Sequence, residues 1–318
     1  MCYDAIHKNS SSVKVSEYGG SMRSGFVGIA GRPNVGKSML LNTIIGEKIA
    51  ITTSKPQTTR NRIRGIYNEN REGEEPFQIV FVDTPGIHKP KNRLGGYMTD
   101  AAVNTFKEVD LVIFITDGGL DDGPGDRYII EMLKKINTPK ILVINKIDAM
   151  LPDKFRKIYE EYEALGEFDR VLGISAAENI HVEELIEETK KYIPAGPVYF
   201  PDDMFTDDPE RFVVSEIIRE KILLYMDKEV PHGVAVEIES FIEEENITRI
   251  SAVIYCEKKS HKGMLIGKAG RKLKGIGKSA RKEIEKLLGV RVFLDLWVKV
   301  KENWRDSEKA LSDFGYKD

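Results

Sequence analysis

The sequence predicts an α/β domain, a mostly parallel sheet with helices on both faces, followed by a smaller α+β domain. Three observations predict it. Apolar runs of strand length alternate with stretches of helical period as far as residue 193, a proline- and acid-rich stretch without period follows, and the charge balance reverses beyond it. In the first part the strand-like runs fall near 26–30, 60–67, 77–82, 110–116, 140–144 and 170–174. Helical stretches start near 36, 93, 124, 152 and 181, and strands that alternate with helices in this way build parallel sheets. Residues 194–210, PAGPVYFPDDMFTDDPE, hold four prolines and five acidic groups and read as a linker long enough to drape over a surface. Beyond it the order is a helix at 214–227, strands at 234–242 and 248–257, helices on either side of a glycine turn, and a strand at 291–300. The expected boundaries are 24–193 for the first domain, 194–210 for the linker, 211–305 for the second domain and 306–318 for a C-terminal tail. Residues 1–23 read as an extension that is disordered or wrongly assigned, with Met22 as an alternative start.

Composition narrows the setting. A chain of 318 residues suits two domains. Its two cysteines, Cys2 and Cys256, cannot build a disulfide framework, which favours a reducing, cytoplasmic environment. No uninterrupted apolar run approaches the roughly 18 residues of a membrane span, and the serine-rich start lacks the apolar stretch of a secretion signal. Peripheral contact with the inner face of the cell membrane is a further expectation.

Residues 31–38 read GRPNVGKS, a complete GxxxxGKS phosphate loop. Gly31 and Gly36 let the chain turn so that the N–H groups between them, Asn34 and Val35 included, point at phosphate oxygens; Lys37 reaches the β and γ phosphates and the Ser38 hydroxyl ligates Mg²⁺. The apolar run before it and the helical run that continues from Met39 supply the strand-loop-helix setting the motif requires. Residues 83–86 are DTPG: Asp83 sits at the carboxyl end of a strand, where α/β sheets place ligands, 45 residues after Ser38. Asp83 is expected on the metal and Gly86 on the phosphates. Another apolar strand runs into Asn145-Lys146-Ile147-Asp148, and the Asp148 carboxylate accepts two hydrogen bonds from the N1–H and 2-amino groups of guanine. Adenine offers no such donor pair, so Asn145 and Asp148 argue against a kinase or ATPase. The strand at 170–174 ends in Ser175-Ala176-Ala177, placed to present a backbone N–H to the guanine oxygen.

Residues 255–305 carry 15 lysines or arginines and 5 acidic residues, a local net charge of +10 in a chain of net −3, which points to a polyanion. Within them Ile266-Gly267-Lys268-Ala269-Gly270 forms a GxxG turn that opens a helix with Leu273, Ile276, Ala280, Ile284 and Leu287 at helical spacing. Missing side chains at both glycines let single-stranded nucleic acid approach the backbone, and the helix N-terminus favours phosphate. Lys268, Arg271, Lys272 and Lys274 are the expected phosphate contacts. The alternating Val292, Leu294, Leu296 and Val298 are expected to be core rather than a platform for bases. The α-β-β-α-α-β order resembles prokaryotic-type KH domains.

The four nucleotide segments in this order resemble the translation-factor-related GTPases. With the KH-like part behind them, residues from about Ser24 to Arg305 are similar to the Era family of bacterial ribosome-assembly GTPases. The resemblance implies a P-loop GTPase domain whose strand at 60–67 is antiparallel, and a Mg²⁺-dependent switch between GTP and GDP. It also implies a KH domain that binds the 3′ end of 16S ribosomal RNA, and a role of the monomer in assembly and maturation of the 30S subunit. It assigns the metal to Ser38, Asp83 and a first-switch threonine, Thr59 with Thr58 as the alternative. Ras-like proteins carry a glutamine after the DxxG glycine to orient water, and this chain has Ile87. Related GTPases place K⁺ through an asparagine at the position of Asn34, which makes Lys37, Thr59, Gly86 and Asn34 the expected catalytic set; the alternative is an Asn34 that caps the loop backbone. A pure RNA-binding assembly chaperone with negligible turnover is the competing function.

Overall fold

The computed structural model describes residues 22–316 apart from 54, 56, 72–74, 91, 121–123 and 227–229. The expectation for residues 1–21 lies outside the described residues. The chain divides into two compact units, one formed by most of the described residues up to 207, the other by residues 208–316 with 92–94.

The first unit contains β1 (Met22–Gly31), α1 (Lys37–Ile45), β2 (Ile63–Glu69), β3 (Phe77–Asp83), α2 (Arg93–Glu108), β4 (Leu111–Thr116), α3 (Pro124–Leu133), β5 (Lys140–Ile144), α4 (Pro152–Glu163), β6 (Arg170–Gly173), α5 (Val182–Lys190) and the short β7 (Ala195–Gly196). The sheet runs β2-β3-β1-β4-β5-β6. β2 is antiparallel to β3, and the remaining pairs along this path are parallel. Every residue of β4 is buried, because α2, α3 and α4 cover one face of the sheet while α1 lies on the other against β2, β3 and α5. That two-sided burial is why these strands read as unbroken apolar runs. β1 begins at Met22, two residues before the expected domain start: Met22 is buried and the Arg23 guanidinium donates to the Ile193 carbonyl.

Residues 195–207 follow the sheet, and their polar contacts explain a segment that has no period of its own. β7 pairs antiparallel with Met22 and Arg23 of β1, a short strand inside the stretch expected to be plain linker. Gln78 accepts from the Tyr199 and Phe200 N–H groups and donates to the Phe200 carbonyl, and the Ile66 N–H donates to the Phe205 carbonyl.

The second unit contains α6 (Glu210–Tyr225), β8 (Val234–Glu244), β9 (Ile247–Cys256), α7 (Lys259–Ile266), α8 (Arg271–Leu288), β10 (Arg291–Val300) and α9 (Glu308–Asp313). Its sheet runs β10-β9-β8, with β8 antiparallel and β10 parallel to β9. The apolar face of α8, Ile276, Ala280, Ile284 and Leu288, packs with Ile217, Ile218 and Ile222 of α6 and with Ile254 and Val292 of the sheet. Residues 308–313, within the expected tail, are helical: the Ser307 side chain accepts from the Ala310 N–H, and Ala310 and Leu311 are buried.

Candidate functional site

The phosphate loop lies between β1 and α1. Gly36 caps α1 with φ 106°, a backbone that disfavours any side chain, and a Cβ there would collide with Asn145 Nδ2. The first turn of α1 holds no acidic residue, so its N-terminus is open to an anion. Lys37 is 6% exposed, and its ammonium donates to the Gly31 and Arg32 carbonyls at 3.3 and 3.0 Å. Burial lowers its pKa, partly offset by Asp83. Asn34 is exposed with φ 69°, Val35 is buried and Met39 is exposed on the first turn of α1.

Three oxygen-bearing side chains meet beside Lys37. Ser38 Oγ donates to Asp83 Oδ2 at 2.6 Å, Thr59 Oγ1 donates to the same oxygen at 3.2 Å, and the two hydroxyls are 2.8 Å apart. Thr58 is directed elsewhere: its hydroxyl donates to the Lys55 carbonyl and lies 2.7 Å from that of Thr53. Burial raises the Asp83 pKa, opposed by Lys37 and by the Ser38 and Thr59 hydroxyls. Asp83 Oδ1 is buried without a hydrogen-bond partner. A buried carboxylate oxygen left unsatisfied beside two hydroxyls is a hard-oxygen set that fits Mg²⁺, which typically takes one or two carboxylates and completes its shell with phosphates and water.

Gly86 is buried, and the following Ile87 is buried in the core while its N–H donates to the Gly31 carbonyl. The position that carries glutamine in Ras-like proteins thus fastens the segment to the phosphate loop, with its side chain turned inward.

Asn145 fastens the base side. Its Nδ2 donates to the Val35 carbonyl at 2.8 Å, and its Oδ1 accepts from the Ala176 N–H at 3.0 Å, joining phosphate loop to the 175–177 turn. Lys146, at φ 65°, donates to the Asn34 carbonyl and to Asp117. Asp148 is exposed in the turn that follows. Within the tripeptide the Ser175 N–H is bonded to the Ile180 carbonyl and that of Ala176 to Asn145, and Ala177 is the exposed member. Sequence reasoning missed Asp117, Asp126 and Arg32: Asp117 receives Lys146 at 2.6 Å and Arg32 at 3.1 Å, and Arg32 also holds the buried Asp126 at 2.8 Å. Asp117 follows the last residue of β4, the strand-end placement that singled out Asp83, and that signal was available.

In the second unit Gly267 ends α7 and Gly270 begins α8, at φ 71° and 74°, with Ala269 between them at φ 53°. Lys268, Arg271, Lys272 and Lys274 are exposed around this turn, Ile266 is half-buried, and the first turn of α8 has no acidic residue. A groove of about 450 Å³ runs behind the turn, lined by Gly270, Lys274, Lys278, Arg281, Leu294 and Leu296 among others. Leu294 and Leu296 are half-buried: they pack against the core of this unit, as expected, and also line the groove. Val292 and Val298 are buried, but β10 is an edge strand, so its middle residues reach the groove half-covered.

Comparison with known proteins agrees with both units. The family described as "50S ribosome-binding GTPase" matches residues 26–146, and "KH domain" matches residues 229–305. GTPase Era of Alkaliphilus oremlandii is 58% identical over 93% of this chain and 99% of its own length. The chain belongs to the Era GTPase family. GTPase Era of Clostridioides difficile is 54% identical over the same shares. Among solved structures, Era in complex with MgGDPNP and nucleotides 1506–1542 of 16S ribosomal RNA superimposes with a TM-score of 0.87 at 39% identity, over 93% of this chain and 99% of that one. A variant of Aquifex aeolicus Era bound to GDP·AlF4⁻ gives 0.87 at 38% over the same shares. Membership of the Era GTPase family establishes the P-loop GTPase and KH architecture, and GTP turnover with Mg²⁺ as its chemistry. Among the described residues no helix is long and apolar enough to cross a membrane.

One prediction follows from the metal-fitting oxygens. Asp83→Asn should reduce the Mg²⁺ dependence of GTP affinity by more than about tenfold, while Mg²⁺-free binding through Lys37 and the loop amides persists. Titrating a fluorescent GTP analogue with and without Mg²⁺ measures both.

Proposed function

We propose that this chain is a cytoplasmic GTP-hydrolysing switch whose KH domain binds the 3′ end of 16S ribosomal RNA and serves 30S subunit assembly. Residues 24–193 would form the GTPase part, 194–210 the linker and 211–305 the KH part. The observation that carries the reading is the convergence of Ser38, Thr59 and Asp83 beside Lys37, with Asn145 fastening the base-side turn to the same loop. Lys37 and the N–H groups of residues 34–39 would hold the phosphates, and Asp148 with the Ala177 N–H would read guanine. Ser38, Thr59 and Asp83 would hold Mg²⁺, which neutralises charge on the phosphates when bound. The lysines and arginines around Gly267 and Gly270 would meet RNA phosphates, the α8 N-terminus adding its dipole. Phosphate release measured from GTP and from ATP, each with and without a 16S 3′-end oligonucleotide, tests the reading. Turnover of GTP alone is expected, and equal turnover of ATP or none of either would overturn it.

With Ile87 in the core, that position orients no water and catalytic help must come from elsewhere; we assign it to K⁺ held by Asn34, which would compensate charge developing on the phosphates. Asn34 also suits its left-handed backbone, where alanine would be strained. Glycine is therefore the informative substitution: Asn34→Gly keeps the loop path and removes the carboxamide. Wild-type hydrolysis should rise when Na⁺ is replaced by K⁺ at constant ionic strength, and Asn34→Gly should bind GTP normally but lose that rise. Equal wild-type rates in both salts would discard the potassium assignment.

A further inference from the structure

Arg32 of the phosphate loop serves Lys37 with its backbone, the carbonyl accepting from the ammonium at 3.0 Å, and sends its side chain to two carboxylates. Its Nε donates to Asp126 Oδ1 at 2.8 Å and its Nη2 to Asp117 Oδ1 at 3.1 Å. The stem crosses Gly125, where an added Cβ would stand 2.5 Å from Arg32 Cδ, so a side chain at that position would block this route. Asp126, in the first turn of α3, is 1% exposed, and its other oxygen accepts from the Thr116 hydroxyl at 2.9 Å and the Tyr162 hydroxyl at 3.2 Å. Burial and the Asp126 charge raise the Tyr162 pKa, which keeps that hydroxyl a donor. One carboxylate is thereby fixed to the end of β4, to α4 and to the phosphate loop at once.

Asp117 passes the connection on. Its Oδ2 accepts from Lys146 Nζ at 2.6 Å, and the same ammonium donates to the Asn34 carbonyl at 2.9 Å. The Asn145 amide holds the next carbonyl, that of Val35, at 2.8 Å. In a trans peptide the carbonyl and the following N–H point opposite ways. Holding the carbonyls of residues 34 and 35 from behind therefore aims the N–H groups of residues 35 and 36 the other way, which in a phosphate loop is toward the phosphates. A buried ion pair is a poor device for stabilising a fold, because desolvation offsets its attraction. A forked guanidinium between two carboxylates is a good device for fixing a direction. We propose that Arg32 and Asp126 are positioning residues for GTP hydrolysis: their ion pair, passed on through Asp117 and Lys146, fixes the peptide planes of residues 34 and 35 against the charge that develops between the β and γ phosphates. Lys37 and the remaining loop amides grip the nucleotide in the ground state, so the network acts on turnover more than on affinity. The proposal rests on the phosphate-loop reading and is independent of the potassium assignment.

Two variants of the full chain test it, each assayed for kcat in K⁺ and in Na⁺ and for affinity with fluorescent GTP and GDP analogues. Arg32→Lys keeps a positive charge beside the buried Asp126, but an ammonium cannot fork across both carboxylates. Arg32→Met with Asp126→Asn removes both charges together, which leaves no orphaned carboxylate in the interior. Both should lower kcat by about 10- to 100-fold in either salt, with GTP and GDP affinities changed by less than about threefold and melting close to that of the wild type. Wild-type kcat in either folded variant, or a loss of kcat matched by an equal loss of affinity for both nucleotides, means that the network only builds the loop and overturns the proposal. Should the double variant melt far below the wild type, Arg32→Lys decides alone. Absence of GTP hydrolysis by the wild-type chain would overturn both this proposal and the function proposed above.

Discussion

Asp148→Asn is expected to lower GTP affinity by about 100- to 10,000-fold and to turn the protein into one that prefers XTP. A carboxylate accepts from both the N1–H and the 2-amino group of guanine, and bonds to a charged acceptor are worth about 1.5–3 kcal/mol each. A carboxamide offers one acceptor and one donor, so its NH₂ faces the 2-amino group of guanine, donor against donor, but pairs with the 2-oxo group of xanthine. Asp148 is exposed in the turn after Asn145 and takes no part in fastening the loop to the 175–177 turn, which is done by Asn145. The substitution therefore changes the ligand and leaves the scaffold intact, and stability should move by less than about 0.5 kcal/mol. Competition of GTP and XTP against a fluorescent guanine nucleotide reads the preference directly. Unchanged GTP affinity would remove Asp148 from the specificity role. Asn145→Ala makes the contrasting control, because it releases the phosphate loop from Ala176 and should weaken GTP and XTP alike.

The parts of this protein that sequence reveals are those where chemistry or burial constrains neighbouring residues in a fixed spacing. The phosphate loop must place its glycines, Lys37 and Ser38 within one turn, so it is visible as a string. β4 and β5 are covered on both faces and therefore appear as unbroken apolar runs. The ion pairs of Asp117 and Asp126 with Lys146 and Arg32 follow no string rule: the partners come from four segments and meet only once the sheet has formed. β10 shows a related limit. Its period of two separates Phe293 from Leu294, but only the strand order reveals that β10 lies at an edge, with Leu294 at a groove and Phe293 exposed on the other face. β7 escaped notice because two residues between prolines carry no period, and what holds them is the backbone of β1.

Gly270→Asp is expected to lower affinity for a 16S 3′-end oligonucleotide by about 100-fold while intrinsic GTP hydrolysis stays at the wild-type rate. The two glycines of the turn are not equivalent. At Gly267 a Cβ would stand 2.7 Å from that of Lys272, so Gly267→Asp distorts the start of α8 as well as blocking RNA. At Gly270 no atom lies within 4 Å of an added Cβ, and the remaining cost is a left-handed backbone, about 1 kcal/mol for an aspartate, which visits that region more readily than most residues. The new carboxylate then stands at the N-terminus of α8 among Lys268, Arg271, Lys272 and Lys274, where it neutralises the cations and repels an incoming phosphate. Loss of the backbone approach adds to the repulsion, and about 2–3 kcal/mol together gives the hundredfold effect. Lys268→Ala should do much less: one lost phosphate contact makes the salt dependence shallower by about 0.7 in log–log slope for a single strand and lowers affinity equally across sequences. Filter binding over a salt series measures both variants, and phosphate release in the same buffers measures hydrolysis. If Gly270→Asp is folded and binds the oligonucleotide as tightly as wild type, RNA does not pass over this turn and the basic face holds it elsewhere.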